Sequence, residues 1–215
     1  MSLLTPVDNY CERLSPSLMA EPLNALSNLS FIIAAWMLYR AYKKKGLYDI
    51  PVMALILMVF IVGVGSSLFH TFANNLTMLA DIIPIMVFVL SYLFFALIRL
   101  LGFSKSKARL SLLVLLLASA ATSFAPAELR FNGSVQYFPC LAALFLVAWK
   151  SHQKPLYLAS AVFSCSLIFR SVDMALCNEF LEGTHFIWHL LNGVLLYVLV
   201  KVLINHLHTD TKLIE

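Results

Sequence analysis

Three histidines, one aspartate and one serine stand out in a chain otherwise poor in polar side chains. Ser66 and His70 are four residues apart in GVGSSLFH, and His185 and His189 are four apart in THFIWH. On a helix such i, i+4 pairs share a face. An i, i+4 histidine pair lets one helix hold a metal, and a third histidine from another helix leaves the fourth tetrahedral position for water. That is the layout of a catalytic zinc site, where water made acidic by the metal attacks a carbonyl whose oxygen the metal polarises. Asp81, in NNLTMLADIIP, is then suited to act as general base, and Ser66 to donate a hydrogen bond to the developing oxyanion. The alternative is that these histidines only cross-link helices or sit in interfacial water. Three of them at one depth, with an aspartate and a serine beside them, favour the metal.

Whether they share a depth is decided by the elements that carry them. The 215 residues are 61% hydrophobic and 12% charged, with a mean hydropathy of +0.87, against about 25% charged in soluble domains. This excludes a water-soluble globule. Apolar stretches fall at about 24–42, 51–70, 76–101, 108–125, 134–149, 155–173 and 185–206, and a crossing needs about 20 such residues. The expected fold is all-α and polytopic, with seven transmembrane helices in one domain over 1–215. Twelve basic residues fall on one side (Arg40, Lys43, Lys44, Lys45; Arg99, Lys105, Lys107, Arg109; Lys150, Lys154; Lys201, Lys212), and Arg13, Arg130 and Arg170 on the other. The positive-inside rule then puts the N-terminus outside and the C-terminus in the cytoplasm. The net charge of +4 is a topology signal, so no nucleic-acid partner is expected. The first 23 residues lack a basic region followed by an apolar core, so no cleavable signal peptide is expected.

This topology sends the second stretch outward to end at His70 and starts the third and seventh outside, near Asp81 and His185. All five polar residues therefore meet at the outer level. Acidic residues gather there too: Asp8, Glu12, Glu21, Asp81, Glu128, Asp173, Glu179 and Glu182. Glu21, Asn24 and Asn28 share a face at the start of the first stretch, as expected of a hydrogen-bond network. Arg170 and Asp173 are expected to form an ion pair supporting the site. His152, His206 and His208 lie on the inner side, away from it. The four cysteines show no CxxC or CxxH spacing, which argues against a thiolate metal site. Cys11 and Cys177 both fall outside, where an oxidising environment would join them in a disulfide. Cys140 and Cys165 fall within the fifth and sixth stretches.

The segments YCER (10–13), EPLNALSN (21–28), GVGSSLFH (63–70) with Asp81 eleven residues on, FRSVD (169–173) and THFIWH (184–189) together resemble the alkaline ceramidase family. That family is part of the CREST group of seven-helix membrane hydrolases and receptors, and the likeness covers nearly the whole chain. It implies zinc on His70, His185 and His189, with Ser66 and Asp81 as catalytic partners. It also implies hydrolysis of ceramide or a similar N-acyl membrane lipid to a sphingoid base and a fatty acid. Animal members carry a calcium site. Here Glu12 and Glu21 match it, but Asn9 stands at an Asp position, Tyr10 at a Trp and Leu14 at an Asn, so calcium loses ligands. The short chain and trimmed loops resemble a bacterial member, which implies the cell membrane and an active site near the extracytoplasmic face. The competing readings are a seven-helix zinc-binding receptor or haemolysin-like protein, and a non-catalytic lipid-binding relative. The YCER and EPLNALSN segments favour the hydrolase branch over the first, and Ser66 and Asp81 beside the histidines argue against the second.

Overall fold

A chain this apolar must satisfy its backbone polar groups internally, and a helix does so within each segment. The computed structural model describes residues 2–212, with side chains described through residue 209, so that of Lys212 lies outside the described set. Among the described residues every regular element is helical, apart from one isolated bridge between Pro6 and Asn74. Helices α1 (Pro22–Ser27) and α2 (Leu29–Lys44) run on through Asn28 as one span. They are followed by α3 (Ile50–Phe72), α4 (Asn75–Leu101), α5 (Lys105–Ala121), α6 (Phe138–Ser151), α7 (Lys154–Val172) and α8 (His185–Lys212).

Six helices, counting α1 and α2 as one, are long and apolar enough to cross a membrane. The stretch expected at 134–149 is α6, with 14 residues. At about 1.5 Å per residue it falls short of a hydrocarbon core of about 30 Å. Pro139 sits in its first turn, and His152, in the left-handed region at φ 54°, ends it. Leu110, Leu113 and Leu117 on α5 are each more than half exposed, whereas Glu21, Asn24, Asn28, His70 and Asp173 are at most 2% exposed. Many large apolar side chains thus face outward as well as filling the core, and these polar ones are held in the interior, as lipid surroundings require.

Two devices set the hairpin that carries Ser66, His70 and Asp81. Asn74 accepts the Thr77 N–H at 3.0 Å while the Thr77 hydroxyl accepts the Asn74 N–H, a reciprocal cap that starts α4 just after Ala73 ends α3. At the far end the Arg99 guanidinium grips the Asp49 carboxylate through two hydrogen bonds of 3.1 and 2.8 Å. Between them the backbones touch. A Cβ built on Gly65 would overlap the Ala80 carbonyl, so the residues just before Ser66 and Asp81 lie in contact. Gly65→Ala is therefore expected to wedge α3 from α4, at a cost of about 1–3 kcal/mol. A lower midpoint of thermal unfolding in detergent checks this.

Candidate metal centre

The four consecutive residues 10–13 of the N-terminal segment each hold a different part of the structure. Tyr10 stacks on the His185 ring at 3.7 Å between centroids. Cys11 forms a disulfide with Cys177, with a Cα–Cα distance of 5.1 Å. Glu12 accepts the backbone N–H groups of Leu23 and Asn24 at 2.6 and 2.8 Å, capping the start of α1. Burial pushes its carboxyl pKa up, and those two N–H donors temper the rise. Arg13 pairs with Glu21 and donates to the His70 carbonyl at 3.2 Å.

His70 from α3 and His185 and His189 from α8 are all buried, and one ligand atom from each lies within 4.8 Å of the others. Ring centroids are separated by 5.2, 4.7 and 4.5 Å. The hydrogen bonds behind the rings decide which nitrogens are left to coordinate. Glu21 is acceptor-only, so His70 donates to it from Nδ1. The Ser27 hydroxyl spends its hydrogen on the Asn24 carbonyl at 2.9 Å, so at 2.8 Å its oxygen accepts from His189 Nδ1. Both rings thus keep a lone pair on Nε2. His70 Nε2 and His185 Nδ1 are buried with no hydrogen-bond partner among the described residues. Unpaired buried nitrogens are costly, and a metal would satisfy them. A carboxylate behind a histidine is a recurrent support of metal ligands. Three imidazoles with a further position open suit a divalent transition metal.

Burial alone would raise the Glu21 pKa, but donors from His70, Arg13 and Asn24 hold it below the ordinary carboxylate value. A depressed carboxyl pKa contributes stability that is fully present above the unfolded value of about 4.5 and is lost as pH falls through the folded one. Glu21→Gln keeps the shape and removes the charge. It is expected to weaken metal binding about 10–100-fold, measured by competition with a chelator.

Ser66, Asp81, His185 and His189 line one cavity of about 150 Å³. Asp81 Oδ1 is buried there without a hydrogen-bond partner among the described residues. The cavity continues past Phe88, Tyr92 and Leu199, an apolar depth walled by α4 and α8. Asp81 and Tyr92 are eleven residues apart on α4, roughly 16 Å at 1.5 Å per residue.

One expectation is corrected. Arg170 and Asp173 form no ion pair. The Asp173 carboxylate accepts the N–H groups of Cys11, Thr184 and His185 at 3.2, 2.6 and 2.9 Å. It therefore caps α8 at the first histidine of the cluster, because a free helix N-terminus attracts a carboxylate more than a side chain three positions back does. Of the residues at the calcium positions, Glu12 and Glu21 accept hydrogen bonds from protein donors on both carboxylate oxygens, and Asn9 lines the cavity. The sequence reading does not single out Ser27, although it shares the face of Glu21, Asn24 and Asn28 at i+6. The stacking of Tyr10 on His185 leaves no local trace, since 175 positions separate the two.

A family model described as Ceramidase matches residues 5–213, nearly the whole chain. No curated protein matches it significantly.

Proposed function

The chain belongs to the ceramidase family, and from that premise we propose that it is a zinc-dependent membrane hydrolase of ceramide or a similar N-acyl lipid. Water adds across the amide C–N bond and yields a fatty acid and an amine, which is a sphingoid base when the substrate is ceramide. Taken as seven crossings with the N-terminus outside, counting α6 together with the 3-10 turn before it (Ser134–Tyr137) as a short span, the chain would carry this centre near the extracytoplasmic face. Zinc held by His70, His185 and His189 supplies Lewis acidity toward the amide carbonyl and makes water acidic enough to attack near neutral pH.

The chain's own residues do the rest. The apolar depth between α4 and α8 takes the acyl chain and so brings the amide carbonyl to the histidines. Asp81 accepts the proton of the attacking water and returns it to the leaving amine nitrogen. The Ser66 hydroxyl donates to the oxygen on which negative charge develops. The disulfide and the Tyr10 stack keep the N-terminal segment over the cavity and limit bulk water. The observation that carries this reading is the unpaired Asp81 carboxyl oxygen in the same cavity as two of the three imidazoles. A metal kept only to hold helices together has no use for it.

The test incubates the purified zinc-loaded protein with N-acyl sphingoid lipids, other lipid amides and lipid esters, and follows fatty-acid release. Release from an amide that depends on zinc supports the reading. Release from none of them by a protein with stoichiometric zinc overturns it in favour of a receptor or lipid-binding role.

A further inference from the structure

Arg170, at the outer end of α7, reaches the wall of the same cavity. Its guanidinium carbon lies 6.0, 5.7 and 5.2 Å from the ring centroids of Tyr10, Tyr137 and Trp188. One nitrogen donates to the Tyr10 hydroxyl at 3.2 Å, while Nε is buried with no hydrogen-bond partner among the described residues. No described carboxylate lies within ion-pair distance of it. Asp173, three residues on, is fully occupied by backbone N–H groups, as described above. Three aromatic faces compensate a cation only in part. An unpaired cation within a membrane-spanning helix is expensive and marks a functional position. The guanidinium fork matches a carboxylate or phosphate with two parallel bonds.

Position assigns this anion to one end of the substrate. Arg170 contacts Tyr10, and Tyr10 stacks on the ligand His185. The guanidinium therefore sits one ring beyond the metal ligands, on the side opposite the apolar depth of Tyr92 and Leu199. Asn9 and Gln136 line the cavity as well. With the acyl chain in the depth and the amide at the histidines, the amine-derived part of the lipid faces this polar rim. We propose that Arg170 selects N-acyl lipids whose amine part bears an anionic group, a carboxylate or a phosphate. The proposal rests on the amidase reading and narrows its substrate class.

The test uses the full-length zinc-loaded protein in phosphatidylcholine vesicles and a matched pair, N-palmitoylglycine and its neutral amide N-palmitoylglycinamide, with C16 ceramide as a third substrate. Wild type is expected to favour N-palmitoylglycine by at least about tenfold in kcat/KM, mostly through KM. Arg170→Gln should bring that ratio to about one, and Arg170→Lys, which keeps the charge but not the fork, should lie between. Zinc content identifies variants that have kept the fold, and Arg170→Lys carries the test if Arg170→Gln has not. Equal losses on both lipids, or no preference in wild type, overturn the anion site; if ceramide is then still cleaved, the amidase reading stands. A binding arm separates the opposite failure. If no lipid is hydrolysed, yet N-palmitoylglycine raises the unfolding midpoint of wild type and not of Arg170→Gln, the anion site stands and the amidase reading falls. Stabilisation by palmitate alone, dependent on Arg170, would assign the anion to the acid product and overturn the amine-side assignment.

Discussion

Replacing His185 by alanine is expected to remove both the bound metal and the lipid hydrolysis. The candidate centre brings three imidazoles together, and His185 is held by more of the fold than a packing histidine needs. Its ring stacks on Tyr10 at 3.7 Å, and its backbone N–H is capped by Asp173 at 2.9 Å. With two ligands left, a site of this kind no longer reaches the coordination that zinc requires. Elemental analysis per chain is the measurement, with His152→Ala at the other end of the bundle as the control that keeps metal and activity. A His185→Ala protein with stoichiometric zinc would show that α8 is not the ligand helix. Protons compete for the same nitrogens, because imidazole must be neutral to bind a metal and its ordinary pKa is about 6.5. Metal content and activity are therefore expected to fall together as pH is lowered, measured by metal per chain across a pH series.

Asp81→Asn is expected to lower kcat by about 10²–10⁴-fold while zinc stays bound, the range typical of a lost general base. Asparagine fills the same space at the same point of α4 but cannot take a proton. The split between zinc content and turnover carries the test. Zinc lost together with activity would give Asp81 a structural or ligating role. Ser66→Ala belongs on the same axis, with a loss of about 10²–10³-fold if its hydroxyl supports the oxyanion. Because Gly65 presses on Ala80 directly beside both residues, the Gly65→Ala variant reports on how closely these two groups must be held.

Much of the site was legible before any coordinates. Hydropathy placed the apolar segments, and the i, i+4 spacings placed Ser66 with His70 and His185 with His189 on single faces. The alternation of basic loops brought those faces to one end, where the histidines do lie within coordinating distance of one another. Each of these signals is local, because a helix repeats every 3.6 residues and a crossing has a minimum length. The seventh stretch met both conditions and became α8, whereas the fifth ran into Pro139 and His152 and became the shorter α6.

What sequence could not reach is pairing across long separations, which depends on which groups compete for the same partner once the chain is packed. Arg170 and Asp173 are three residues apart and of opposite charge, and a local rule joins them. In the fold the start of α8 takes the Asp173 carboxylate and three aromatic rings take the guanidinium. The same competition spends Glu12 on the start of α1 and Glu21 on His70 and Arg13, contacts that no local spacing announces. Helices, the faces they present and the three clustered histidines could be read along the chain, because they follow from periodicity. Which nitrogens are left to coordinate, and which cation in the cavity has no described carboxylate within ion-pair distance, emerge only in the folded chain, because a buried polar group is satisfied by whatever the fold brings within about 3 Å of it.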